Sequence, residues 1–324
     1  MDVIISYFSS LNPMNLLSQL PGNVAQGIIW GIMALGVFIT FKLLNFADLT
    51  VDGSFATGGA VTAILLINGV PVWIAVIAAL AAGILAGLIT GLLHTLLGIP
   101  DILSGILTQI ALYSINLNIM GKSNLPISYR NYTLVISASD INTAILVGLI
   151  ISAIIIILMY WYFGTEQGST IRSTGSNPSM SKAQGININV AKVIALALSN
   201  GLVALAGSFS AQYQGFSDVN MGRGAIVIGL AAVIIGEVIG EALFRKHINF
   251  IIRLIFVIVG GILYYIAMGI VLWLKMPTDD TKLFTAVIVA IFLAVPYLKG
   301  KSKSSFKKLA KENLKNRMGG GKNA

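Results

Sequence analysis

The sequence predicts an all-α, polytopic membrane helix bundle of about nine transmembrane helices. Three observations lead there. Hydrophobic residues fill 56% of the 324 positions and charged residues only 10%, against about 25% charged in an ordinary soluble domain. The mean hydropathy is +0.88. The apolar residues also gather into runs close to the roughly 20 residues that cross a hydrocarbon core. No soluble fold of this length hides so much apolar surface, whereas lipid itself solvates the outer face of a membrane bundle.

The runs lie near 23–43, 53–68, 72–97, 102–119, 142–163, 189–209, 225–240, 250–274 and 283–298. The second and seventh are short and glycine-rich, which suits partly re-entrant segments. The stretch from Met1 to Leu20 holds Asp2, Asn12, Pro13 and Asn15 without a basic start, so it reads as a short interfacial or outer segment, not as a cleavable leader.

Charge sets the expected orientation. Nine of the 21 basic residues fall between Lys299 and Lys322, just past the last apolar run, which marks a cytoplasmic end. Residues 1–298 then form the transmembrane domain and 299–324 a basic cytoplasmic tail. Counting back, 241–249, 164–188 and Lys42 lie inside, while 210–224 and 120–141 lie outside. In the tail, Phe306, Leu309, Ala310 and Leu314 fall near one helical face among lysines, a pattern suited to the lipid of an anionic inner leaflet. The glycine-rich end suits a disordered tail equally well. With the net charge of +9 concentrated there, nothing points to nucleic acid.

Several chemistries are excluded. The chain has no cysteine, and its two histidines, His94 and His247, are far apart, so no metal site and no thiol nucleophile is expected. No phosphate loop of the G-x-x-x-x-G-K-[ST] kind occurs, nor a Ser/His/Asp set. The chain is not read as an enzyme, and no cofactor is expected. Glycines four apart (Gly27 and Gly31; Gly83, Gly87 and Gly91) share a helical face on which another backbone can pack closely.

Three polar stretches interrupt the apolar sequence. The first, Leu44 to Phe55, carries Asn45, Asp48 and Asp52 between two spans. Carboxylates at that depth face a cavity or a partner, although Asp52-Gly53 is also a turn pair and Asp48 also suits a helix cap. The second, Ala211 to Gly224, offers Gln212, Tyr213, Asp218 and Arg223, groups that suit a small polar or zwitterionic solute. An ordinary outer loop, with Asp218 paired to Arg223, is the plain alternative. Gln109 and Asn116 sit seven apart, on one face of their span. They line a path or bond between helices. The candidate path residues are therefore Asn45, Asp48, Asp52, Gln109, Asn116, Gln212, Tyr213 and Asp218.

The third stretch, Gly164 to Gly185, is the longest polar connection in the middle of the chain. Asn177-Pro178 is a helix-start signal, with proline at the first helical position, and predicts a short helix over about 178–184.

Arg172, Ser173, Gly175, Asn177 and Pro178, followed by Ala183 and Gly185-Ile186-Asn187, resemble the cytoplasmic signature of permeases of the branched-chain amino acid and ribose ABC importer superfamily. The Gly/Ala-rich run Gly222–Gly236 is similar to that family's helix after the outer loop. Asn45–Phe55 resembles the branch associated with aromatic amino acid (tryptophan or tyrosine) uptake. The resemblance spans about 23–298. It implies a type II-like importer permease in a bacterial plasma membrane, working as a homodimer with an ATPase subunit and an extracytoplasmic solute-binding lipoprotein. It further implies that Arg172, Gly175, Asn177, Pro178, Met180, Ala183 and Gly185 belong to the helix that couples to the ATPase.

The alternative is a secondary transporter driven by an ion gradient, with Asp48, Asp52 and Glu237 as proton-relay candidates. Finally, 24–66 and 193–235 each read as a long span, a polar break and a short glycine-rich span, the first break inside and the second outside. That is the pattern of an inverted repeat.

Overall fold

The computed structural model describes residues 13–128, 132–244 and 249–274, with scattered positions between 283 and 294. The 299–324 tail and the Arg245–Lys246 pair lie outside the described residues. Among those described, eight helices are long and apolar enough to cross a membrane. They are α1 (Pro13–Phe38), extended by a π-helical turn over Ile39–Leu43, then α2 (Thr50–Ile67), α3 (Val72–Leu96), α4 (Asp101–Met120) and α5 (Ile141–Gly164). After two short helices, α6 (Glu166–Ser176) and α7 (Pro178–Ala183), come α8 (Ile188–Gln214), α9 (Ala225–Phe244) and α10 (Phe250–Trp273). Eight of the nine expected spans match these helices, most of them within a few residues. Of the ninth, 283–298, only scattered helical positions are described, and Val289 packs with Ala231, Ile235 and Tyr264.

Two boundaries need correction. Residues 13–20 are no separate interfacial segment: α1 begins at Pro13 and runs through Pro21 and Gly22. A proline removes one donor from a helix, a loss that a helix packed among others tolerates. At the other site, α8 continues to Gln214 and ends on Gly215 at φ 76°, so Gln212 and Tyr213 are helical and not part of a loop.

Helices apolar all round must be buried or face lipid, and this bundle does both. α1, α2 and α8 form the buried centre, while α4 and α5 are the most exposed. Small residues set the packing. A Cβ on Gly83 or Gly87 of α3 would land on the carbonyls of Asn200 and Leu196 in α8, and one on Gly91 would meet Val193. A Cβ on Gly27 or Gly31 of α1 would meet Ile262 and Ile258 of α10. In both cases rising numbers on one helix meet falling numbers on the other, so each pair is antiparallel.

These contacts reproduce the inverted-repeat pattern. α1 runs antiparallel to α8, with Gly36 against Ser199 and Gly22 against Tyr213. α2 runs parallel to α8, since Ser54 bonds Asn200 and Thr62 bonds Ser208. α3, which follows α2, packs on α8; α10, which follows α9, packs on α1. The second unit thus repeats the neighbours of the first with reversed polarity.

Between α4 and α5, strand β1 (Asn124–Pro126) pairs antiparallel with β2 (Phe216–Asp218) from the α8–α9 connection. This pairing holds both connections on one side of the bundle. α6 and α7 lie on the other.

Candidate functional site

Each of the two chain breaks is held by a carboxylate. At the first, the π turn ends with the Leu44 amide donating to the Ile39 carbonyl at 3.0 Å. Asn45 then turns the chain at φ 55°, a left-handed conformation that asparagine adopts more readily than most residues. Its side chain is exposed at the turn. Asp48 is buried: Oδ1 accepts from the Thr50 amide at 2.9 Å and Oδ2 from Asn200 Nδ2 at 2.7 Å. Asn200 in turn accepts from the Ser54 hydroxyl at 2.6 Å. Asp48 therefore caps α2 and ties it to the middle of α8.

At the second break the chain dips back into the bundle. Gly215 ends α8, yet Gly222 lies against the backbone of Asp52, and the Gly224 amide donates to Asp52 Oδ2 at 2.9 Å. The Ile226 amide donates to Asp52 Oδ1 at 2.9 Å. Two residues beyond Asp52, Ser54 bonds Asn200, next to the midpoint of the 27-residue α8. The start of α9 is thus level with the middle of the bundle. Its unsatisfied N–H groups and positive dipole end are met by a carboxylate from another helix.

Beside this junction is a cavity of about 270 Å3 between α2, α4 and the turn before α9. Its polar lining is Asp52, Gln109, Tyr113, Asn116, Asn220 and Arg223, and Ala56, Ile110 and Val219 form apolar wall. Three of the eight candidate path residues, Asp52, Gln109 and Asn116, come together here. The other five do not. Asn45 sits at the first break and Asp48 is enclosed beneath it. Gln212 accepts from the Val135 amide at 2.9 Å, and the Tyr213 hydroxyl donates to the Gly22 carbonyl at 3.3 Å. Asp218 accepts from the Asn220 amide at 2.7 Å and from Asn124 Nδ2 at 3.4 Å, so its bonds brace the sheet-side turn.

Three cavity residues, Tyr113, Asn220 and Arg223, are not among the eight candidate path residues, although Arg223 is singled out in its polar stretch. Tyr113 lies between Gln109 and Asn116 at helical spacing, so the same face would have found it. Asn220 and Arg223 needed the dip of the chain. Arg223 is exposed and takes part in neither ion pair found among the described residues, Lys42–Glu237 at 2.8 Å and Arg253–Glu237 at 3.8 Å. A guanidinium level with the middle of the bundle is costly against lipid.

The opposite side carries the second set of candidates. Thr165 caps α6, accepting from the Gly168 amide. Asn177 ends α6 and caps α7, accepting from the Met180 amide at 3.0 Å, with Pro178 at the first position. α7 spans Pro178–Ala183, close to the expected 178–184; α6 was not expected. Arg172, Asn177, Pro178, Met180, Ala183 and Gly185 are exposed. Met180 is 58% exposed, unusual for a large apolar side chain on a polar surface. Gly175 differs: a Cβ there would fall on the Leu43 carbonyl, so α6 rests directly on the π turn.

Nearby, the ring of Phe46 meets His94 edge-on, and His94 joins the Ile99 carbonyl and Lys192, each at 2.8 Å. With Nδ1 donating to the carbonyl, Nε2 is left to accept from the ammonium. The Asp48, Asp52 and Glu237 carboxylates of the ion-gradient alternative are all engaged, Glu237 by Lys42 and Arg253.

An inverted-repeat bundle with a polar, half-open cavity on one side and a capped helix pair on the other defines a membrane permease. The chain belongs to the family of branched-chain amino acid transport system permease components, which it matches over residues 22–296. It is a multi-pass membrane protein. It is similar to the tyrosine transport system permease protein of Clostridioides difficile (strain R20291), with 41% identity over 272 residues, 84% of this chain and 89% of that one. It is also similar to the uncharacterized protein RP368 of Rickettsia prowazekii (strain Madrid E), with 32% identity over 272 residues, 83% of this chain and 94% of the relative. No solved structure matches.

Proposed function

We propose that this protein is the permease subunit of an ATP-driven ABC importer for an amino acid, aromatic and most favourably tyrosine, in a bacterial plasma membrane. The observation that carries the ATP-driven part is the exposed α6–α7 pair. α7 exposes Met180, Pro178 and Ala183 and α6 exposes Arg172, while Gly175 seats α6 on the π turn. A helix that a partner can grip on one face, and that bears on a broken span through the other, suits the transfer of motion from an ATPase subunit into the bundle. The name of the similar C. difficile protein supports tyrosine.

In this reading α6 and α7 face the cytoplasm, as does the basic 299–324 tail. The β1–β2 side faces outward, where a solute-binding lipoprotein delivers substrate. The cavity at Asp52 and Arg223 belongs to the path. A second copy of the chain covers that face, which removes Arg223 from lipid. ATP hydrolysis resides on the partner, since this chain has no phosphate loop.

The test is uptake of labelled tyrosine into vesicles holding the permease and the ATPase encoded beside it, with the binding protein on the delivery side. Uptake that needs ATP and survives collapse of ion gradients is expected. Uptake by the permease alone, abolished by ionophores, would overturn the reading in favour of a secondary transporter.

A further inference from the structure

We infer that the cavity between α2, α4 and the turn before α9 is a selective holding site for a free amino acid whose side chain ends in a hydroxyl. The inference rests on the permease reading above and adds that the membrane subunit itself distinguishes substrates.

The cavity has two chemically different ends. At one, Asp52, Gln109 and Arg223 meet. Gln109 packs on Gly53, beside Asp52, and Arg223 lies between Gly222 and Gly224, both in contact with Asp52. One guanidinium and one carboxylate suit the two charges of an amino acid head group. Both Asp52 oxygens already accept backbone N–H bonds but keep lone pairs for an ammonium.

At the other end are one unused carboxamide and one unused amide oxygen. Asn116 is fully buried, and among the described residues neither its oxygen nor its nitrogen has a hydrogen-bond partner. The Asn220 oxygen is likewise buried and unpartnered. Such groups are normally satisfied, so an orphaned pair at a cavity wall points to a missing polar atom. Asn220 belongs to this end, because the neighbouring Met221 sulfur lies against Gly59, seven positions beyond Asp52.

Between the ends lie Tyr113, which falls between Gln109 and Asn116 on α4, and Ala56, which follows Asp52 by one turn on α2. Gln109 and Asn116 are seven positions apart on one helix face, a rise of about 10 Å. That is close to the reach of an extended tyrosine from carboxylate to phenol. The head group sits on Arg223 and Asp52, the ring beside Tyr113, and the hydroxyl on Asn116. A site built to bond a hydroxyl rejects the analogue lacking it, because its own polar groups stay unpaired.

The test uses the full permease–ATPase complex in nanodiscs, without binding protein. Labelled L-tyrosine is competed with L-phenylalanine and with tyramine, which lacks the carboxylate. Tyrosine is expected to bind at least about tenfold more tightly than either. Asn116→Leu, with Asn116→Ser as the smaller variant, brings tyrosine to the phenylalanine level and leaves phenylalanine binding in place, which also shows that the variants are folded. Arg223→Gln weakens both amino acids.

Equal binding of tyrosine and phenylalanine by the wild type, or a preference that survives both Asn116 variants, overturns the inference. Should nothing bind while the complete system still takes up tyrosine, the holding site is wrong and the permease reading stands. Should no amino acid be taken up either, both fall.

Discussion

Asp52, in the first turn of α2, accepts the backbone amide of Gly224 across 172 positions of sequence, at 2.9 Å. With the Ile226 amide on its other oxygen, it supplies from a different helix the cap that the start of α9 requires. The two repeat units are joined at their breaks. Asp52→Ala should destabilise the permease by about 1–2 kcal/mol, the loss expected of an N-terminal cap. Asp52→Asn, which keeps one acceptor oxygen, should lose less. Thermal unfolding of the purified permease, read by loss of monodispersity, checks the order.

Asn200 holds the other carboxylate. It donates to Asp48 at 2.7 Å and accepts from Ser54 at 2.6 Å, all three buried. Asn200→Leu leaves Asp48 with its bonds to Thr50 alone and Ser54 without its acceptor. A loss of about 2–3 kcal/mol is expected, since a hydrogen bond to a charged group is removed and buried polar atoms are left unmatched. Ser54→Ala removes only a neutral donor and should lose about 1 kcal/mol. Unfolding curves of the two variants in the same detergent compare them.

Glu237 of α9 joins Lys42 of the π turn at 2.8 Å and Arg253 of α10 at 3.8 Å. The lysine side chain is 40% exposed and the glutamate 19%, so solvent screening keeps the pair weak. A double-mutant cycle with Lys42→Gln and Glu237→Gln should give a coupling of about 0.5–1 kcal/mol. The coupling should shrink as salt rises.

Much of this architecture was legible in the sequence because hydropathy reports length and burial directly. The spans, the polar breaks and the Asn177-Pro178 helix start all followed from local patterns. α6 did not. Glu166–Ser176 is polar and rich in glycine, serine and threonine, with little helix propensity. It is helical because Ile171 and Thr174 are buried and Gly175 seats on Leu43, which are tertiary facts. The cavity divides in the same way. Gln109 and Asn116 were found by spacing on one helix. Arg223 and Asn220 join them only because residues 215–224 fold back into the bundle. Gln212, Tyr213 and Asp218 had suitable chemistry, but their bonds run to loops and to α1.

The contact between Gly175 and the Leu43 carbonyl separates binding from coupling. Gly175→Val should leave the exposed face of α7 intact and still bind the ATPase, while pushing α6 off the π turn. Transport in reconstituted vesicles should fall by about tenfold or more, as expected when a positioned element is displaced by about 1 Å. ATPase co-purification should stay near the wild-type level.

The most direct test of the central claim is co-purification of the neighbouring ATPase with the full-length permease, comparing wild type with Met180→Glu and with Arg172→Glu. The account predicts a stable complex for the wild type, lost or severely weakened in both variants, with each variant still folded and monodisperse. An ATPase that never binds the wild type, or that binds both variants as tightly, would contradict the assignment of α6 and α7 as the coupling element.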